Sequence, residues 1–191
     1  MTDNQIKHFL NRGLHPHNEK DDFRTPMYII DWLKGHFGDN LLDAACSEEN
    51  KKGEYINIFK EPVDYILFDS ETWIYINPPF DMKNCIDFTQ AAARWASKGW
   101  PVVMLLPNKL CSKSYCEKVN IHFDEIICLG GRINFESPYA VKGGASMNGC
   151  FLGIMYGDIM KKKEYPVVKS LTLAQIKKGN YHKKNRNIPI H

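Results

Sequence analysis

The sequence predicts an α/β fold, a mostly parallel sheet with helices on both faces and an antiparallel edge pair at the end of the chain. Three observations carry this. Short apolar runs of β-type composition alternate with longer segments in which apolar residues recur at helical spacing. Several runs end abruptly in a polar or proline residue, as in Leu42-Asp43, Ile76-Asn77-Pro78 and Leu106-Pro107-Asn108, and ligands in α/β sheets bind outside the carboxyl ends of strands. Finally, Gly130-Gly131 permits a sharp turn between runs at 125–129 and 132–135, and a last apolar run follows at 150–156.

A chain of 191 residues forms one domain, with room for an appended arm, and buries a sizeable core. Its 43% hydrophobic and 25% charged residues are ordinary for a globular protein. No apolar stretch reaches the roughly 18 residues of a membrane span, and the start lacks a signal-peptide pattern. The expected location is therefore the cytoplasm, with no membrane partner. The six cysteines (Cys46, Cys85, Cys111, Cys116, Cys128 and Cys150) form no Cys-x-x-Cys pair. Most sit in apolar surroundings and read as reduced core thiols, and no metal is expected. The net charge of +3 hides an asymmetry: residues 157–191 hold nine Lys or Arg against two acids, +7, which leaves residues 1–156 at −4. A basic tail on a mildly acidic body suits phosphate contacts, and a solvated terminus has the same composition.

In chain order, residues 1–22 are polar, without a sustained apolar period. His8, His15 and His17 lack a thiol or carboxylate framework and read as part of a solvated segment. Thr25 reads as the N-cap of a helix with Pro26 at its first position, Ile29, Ile30, Leu33 and Phe37 as its apolar face and Gly38 as its stop. Residues 40–45 read as a buried strand. Asp43 at its end either accepts hydrogen bonds from a ligand or caps the following turn. Residues 51–60 read as a charged connection with a short helix, and 63–69 as a buried strand leading into a turn at Asp69. Asp81 caps a helix from about 82 to 98, with Cys85, Phe88, Ala92 and Trp95 as its core face. Residues 101–106 form the most apolar strand, 112–119 a short helix, 125–129 and 132–135 strands, and 136–149 an irregular loop. In the tail, Thr172 and Gln175 form a capping box, Leu173 and Ile176 face inward, and Gly179 closes the helix.

The chain is organised around Tyr75-Ile76-Asn77-Pro78-Pro79-Phe80. Consecutive prolines fix φ and supply no N–H, while the Pro78 carbonyl stays free to accept. Asn77 adds a second acceptor and Phe80 a flat apolar face. Two acceptors beside a ring describe a pocket for a planar group carrying an NH2.

Asn77-Pro78-Pro79-Phe80 resembles the (Asp/Asn)-Pro-Pro-(Tyr/Phe/Trp) motif of methyltransferases that use S-adenosylmethionine to methylate planar amino groups. Read with Arg24-Thr25-Pro26, Leu42-Asp43-Ala44-Ala45-Cys46 and Asn50, Leu105-Leu106-Pro107, and Gly131-Arg132-Ile133-Asn134-Phe135, the chain is similar to the small phage-type (Dam-like) DNA N6-adenine methyltransferases from about Thr25 to Tyr156. The resemblance implies a Rossmann-like class I S-adenosylmethionine-dependent fold, and a division into a polar segment at 1–22, a catalytic domain at 23–157 and a basic arm at 158–191.

It further implies Asn77, Pro78, Pro79 and Phe80 as catalytic residues. The implied cofactor is S-adenosyl-L-methionine, with Thr25, Pro26, Asp43, Ala44, Ala45, Cys46, Asp69 and Asn77 as the residues expected to hold it. Asp69 would accept from the cofactor's adenine, and a turn aspartate is the competing reading. Ala44 and Ala45 stand where the wider superfamily has a glycine-rich loop. The implied substrate is double-stranded DNA with the adenine flipped out and Phe80 stacked on it. Arg132 and Lys109 are candidates for phosphate or base contacts, with a surface ion pair and a solvated side chain as the respective competing readings. Methylation of RNA guanine N2 or of a protein glutamine amide shares the motif, and a catalytically silent nucleic-acid-binding homologue would bind no cofactor.

Overall fold

The computed structural model describes residues 24–45, 54–63, 72–136, 149–157 and 165–179. Seven strands form one sheet: β1 (Leu41–Asp43), β2 (Glu54–Tyr55), β3 (Trp73–Ile76), β4 (Val102–Pro107), β5 (Glu125–Gly130), β6 (Cys150–Met155) and β7 (Val167–Thr172). Their spatial order is β2-β1-β3-β4-β6-β5-β7. Among the described residues four α-helices accompany them: α1 (Met27–Phe37), α2 (Met82–Ala96), α3 (Lys113–Lys118) and α4 (Leu173–Lys177).

Alternation along the central strands divides the core into two. Every residue of β4 is buried, as expected for a strand covered on both faces. Val102, Met104 and Leu106 join Ile74 and Ile76 under α2, where Cys85, Phe88, Ala92 and Trp95 form the facing stripe. Val103 and Leu105 join Tyr75 on the opposite face, under Ile29, Ile30 and Leu33 of α1 and Leu173 and Ile176 of α4. Helices therefore cover both faces. Truncating a buried side chain such as Trp95, 2% exposed, would cost about 3–5 kcal/mol. Its indole N–H also donates to the Ile58 carbonyl at 3.0 Å, and that of Trp100 to the Val63 carbonyl at 2.9 Å. These two bonds hold the segment after β2 against the sheet.

β1, β3 and β4 run parallel, with Asp43 opposite Tyr75 and Tyr75 opposite Val103. β6 is antiparallel to both β4 and β5. The antiparallel strand is thus present, and β7, parallel to β5, lies outside it and forms the edge. Gly153 of β6 is required by packing: a Cβ there would meet the Phe123 ring at 2.4 Å.

Several elements differ from the sequence expectation. β7 was not expected, because its burial shows no clean alternation and most of its residues are exposed. The connection at 51–60 holds the two-residue strand β2, paired with β1, in place of a helix. Residues 132–135 form no strand; the segment 131–136 reaches Arg24 through one isolated antiparallel bridge at Glu136. The strand expected at 63–69 lies almost wholly outside the described residues, as does most of the loop 136–149. Of the described cysteines, all free, Cys85 and Cys150 are buried, whereas Cys111 and Cys116 are exposed. The expectation that most cysteines lie in the core is corrected accordingly. Cys111 stands in a turn and Cys116 on the solvent side of the short helix α3, where apolar neighbours in sequence do not decide burial. No helix among the described residues is long and apolar enough to cross a membrane.

Candidate active site

From β1 the chain moves outward to β2, then returns to the other side of β1 as β3. Crevices of this kind, outside the carboxyl ends of diverging parallel strands, are where α/β sheets bind ligands. Asp43 ends one of these strands and Asn77 follows the other.

Asn77 is half-buried, and its Oδ1 is fully buried with no hydrogen-bond partner among the described residues. An unpaired buried acceptor costs about 1–3 kcal/mol, which argues for a ligand donor at this position. The backbone that follows is anchored. The Cys85 thiol donates to the Pro79 carbonyl at 3.6 Å, and the Lys109 ammonium donates to the Phe80 carbonyl at 3.4 Å. The Asp81 side chain then accepts from the Asn84 N–H at 2.9 Å and starts α2 as its N-cap. Pro79 and Phe80 thus direct their carbonyls into the protein, and that of Pro78 has no protein donor among the described residues.

Burial raises the Cys85 thiol to about 11, the largest of several causes, so its proton is retained at neutral pH. The Tyr115 hydroxyl beside it is pushed well up, chiefly by burial and then by the Cys85 sulfur. Phe80 is half-buried and meets Phe135 edge to face, with centroids 5.6 Å apart at 84°.

Thr25 does not cap α1. Pro26 stands at the cap position without a side-chain bond, and the Thr25 hydroxyl pairs with the Tyr75 hydroxyl at 2.5 Å. The cap assignment fails because that contact spans fifty residues and is invisible to local pattern. Pro26 is buried, and its carbonyl receives the Ile29 N–H at 3.0 Å. Asp43 is 4% exposed, and one carboxylate oxygen accepts from the Ala45 N–H at 3.3 Å, so it caps the turn. Ala44 is buried and bonds through its N–H to the Tyr75 carbonyl at 2.9 Å, while Ala45 is half-buried. Cys46 and Asp69 lie outside the described residues.

Arg132 is exposed and has no ion-pair partner among the described residues. Lys109 is half-buried and joined to the motif loop. Reasoning from sequence missed Phe135 and Cys85 as neighbours of the motif, although helical spacing did put Cys85 on the buried face of α2, and it missed the bond between the Tyr75 and Thr25 hydroxyls. It also missed Arg24, whose buried Nε has no acceptor among the described residues and whose backbone pairs with Glu136 at 2.8 and 3.0 Å.

A mostly parallel sheet with Asp43 and Asn77 at the carboxyl ends of adjacent strands has the layout of an α/β enzyme. The family model for DNA N-6-adenine-methyltransferases (Dam) matches residues 13–177, and the chain belongs to that family. Methyl transfer from S-adenosylmethionine to adenine N6 of DNA is accordingly its reaction. Among curated proteins none matches the chain in sequence. A solved Listeria monocytogenes protein, provisionally assigned as a class I S-adenosylmethionine-dependent methyltransferase, superposes with a TM-score of 0.47 at 14% identity. That superposition covers 92% of this chain and 76% of the other. The described residues are compatible with the donor: short Ala44 and Ala45 follow Asp43 at the end of β1, and the Asn77 Oδ1 is buried with no partner among the described residues.

Proposed function

We propose that the enzyme methylates an adenine swung out of duplex DNA, with Asn77 and Pro78 holding the amine and Phe80 stacking on the base. The observation that carries this reading is the buried Asn77 Oδ1, which has no donor among the described residues, next to a Pro78 carbonyl that has none among them either.

The exocyclic amine of adenine is a poor nucleophile because its lone pair is delocalised into the ring. If the Asn77 oxygen and the Pro78 carbonyl each accept one N–H, the nitrogen is drawn towards tetrahedral geometry and its lone pair projects along the remaining axis. Asn77 takes no proton at neutral pH, so it positions and polarises, and the amine proton leaves to water afterwards. When bound, S-adenosylmethionine supplies an electrophilic methyl on a sulfonium. Thr25, Pro26, Asp43, Ala44, Ala45, Cys46, Asp69 and Asn77 are proposed to hold it.

A paired base cannot reach such a pocket, so extrusion costs a few kcal/mol. Stacking on Phe80 offsets about 1–3 kcal/mol of that. Arg132, exposed and without an ion-pair partner among the described residues, is proposed to meet a backbone phosphate. Lys109, expected beside Arg132 in that task, is instead tied to the motif loop through its bond to the Phe80 carbonyl. The basic arm is proposed to add nonspecific affinity that weakens with salt.

The test is product analysis. DNA incubated with protein and methyl donor is digested to nucleosides, and the wild type should yield N6-methyladenosine as its deoxy form while Asn77→Ala binds the donor normally and yields almost none. A methylated guanine or cytosine, or full turnover by Asn77→Ala, would refute the assignment.

A further inference from the structure

Three carbonyls follow one another in the motif loop, at Pro78, Pro79 and Phe80. Only one of them can serve the amine if the other two are held elsewhere. Cys85 from α2 holds the Pro79 oxygen at 3.6 Å, and Lys109 from the loop after β4 holds the Phe80 oxygen at 3.4 Å. These ties come from elements on the two sides of the loop: α2 begins directly after it, and Lys109 follows the end of the neighbouring strand β4.

We infer that Lys109 is a positioning residue for methyl transfer: its ammonium fixes the carbonyl of Phe80, and Pro78, whose oxygen alone of the three has no donor among the described residues, is left to face the substrate amine. The inference rests on the proposed roles of Asn77 and Pro78 and adds to them the device that aims the loop. Prolines at 78 and 79 remove two backbone donors, so the loop cannot be secured by its own N–H groups there. It must be secured through its acceptors, and a charged donor makes the stronger bond.

The Lys109 backbone is itself fixed. Its N–H donates to the Pro107 carbonyl at 2.8 Å, and the neighbouring Asn108 N–H donates to the Gly149 carbonyl at 2.7 Å. The ammonium is thus delivered from a braced turn at the β4–β6 junction, where Pro107 stands opposite Cys150. This role differs from that of a lysine whose charge meets DNA. A phosphate contact would act on affinity, whereas a loop brace acts on the rate once substrate is bound.

The experiment compares wild type, Lys109→Met, Lys109→Gln and Lys109→Arg by single-turnover methylation at saturating DNA and methyl donor, with affinities and their salt dependence measured separately. Lys109→Met and Lys109→Gln should lose between about tenfold and about a hundredfold in the single-turnover rate, the scale set by a small misplacement of reacting groups. Their affinities for donor and DNA should stay within about twofold, and Lys109→Arg should recover much of the rate, as expected where the charge acts at short range.

A single-turnover rate equal to wild type in both neutral variants overturns the inference. So does a loss confined to DNA affinity with a salt slope smaller by about 0.9, which is the signature of one lost phosphate contact. If wild type itself makes no N6-methyladenine, the underlying reading fails instead, and the two failures are distinguishable in the same assay. Matching unfolding midpoints across the four proteins exclude loss of fold as the source of any rate change.

Discussion

The Thr25 and Tyr75 hydroxyls meet at 2.5 Å in the interior, joining the lead-in to α1 with the strand that ends in the motif. Thr25 is 2% exposed and Tyr75 is 1% exposed. Side chains two apart on a strand share a face, so Tyr75 supports the side of the sheet on which the chain leaves towards Asn77. Thr25→Val should destabilise by about 1 kcal/mol, the typical net worth of such a bond. In a cycle with Tyr75→Phe the double variant should cost less than the sum of the singles by about 1 kcal/mol. Urea unfolding checks this; additive costs would dissociate the pair.

Phe135 holds the Phe80 ring by its edge. Phe80→Ala should weaken binding to DNA by about 1–3 kcal/mol with little change in donor affinity. The flipped fraction at saturating protein should also fall, and should recover on duplexes whose target adenine already lies opposite a gap, because extrusion is then cheap. Fluorescence of 2-aminopurine at the target position reports it, and an equal deficit on both duplexes would speak against stacking. Phe135→Leu should show the same pattern at lower amplitude.

Alkaline stability follows from the raised groups. Cys85 moves from an ordinary 9.0 to about 11 through burial, and Tyr115 and Tyr156 move up mainly for the same reason. In each case the unfolded chain ionises first, so the folded state loses its advantage only as pH rises. Stability should be level below 9.0 and decline towards about 11. Thermal melts across this window measure it. Near neutral pH, iodoacetamide should label Cys111 and Cys116 in the native protein and reach Cys85 only after unfolding.

Glu125 joins the last strands to the rest. It accepts from the Tyr156 hydroxyl at 3.0 Å and pairs with Lys169 at 2.7 Å, and it is 8% exposed. Lys169 is half in solvent, so Lys169→Met should cost no more than about 1 kcal/mol. Glu125→Ala strips a partner from a buried hydroxyl and should cost about 1–3 kcal/mol. Gly153→Ala, with the Phe123 ring in the way, should cost about 1–3 kcal/mol through overpacking. Chemical denaturation ranks the three, and a larger loss for the lysine than for the glutamate would reverse the assignment.

What could be read from the chain was what neighbouring residues decide together. Asp81 caps α2 through Asn84, and Thr172 and Gln175 form their capping box, because both devices act within four residues. The unbroken apolar run of β4 announced a strand buried on both faces. The motif at Asn77 was legible because proline removes donors wherever it stands. Thr25 was misread as a cap because its partner is fifty residues away. β2 escaped notice because two residues show no period, and β7 because its position at the edge leaves it without an apolar face. Phe135 stood in the recognised Gly-Arg-Ile-Asn-Phe segment, but only the folded chain brings it to Phe80.

The partnership of β7 with β5 changes what deletion of the basic tail would mean. Six residues pair in register, and α4 seats Leu173 and Ile176 against α1 while Lys177 lies 4.8 Å over the Tyr28 ring. Cutting the chain at 157 would therefore bare an open β edge and an oily helix flank, both invitations to self-association. Any drop in DNA affinity after such a cut would report a damaged scaffold as much as missing positive charge. Replacing lysines one at a time keeps the wall standing and lets electrostatics be weighed alone.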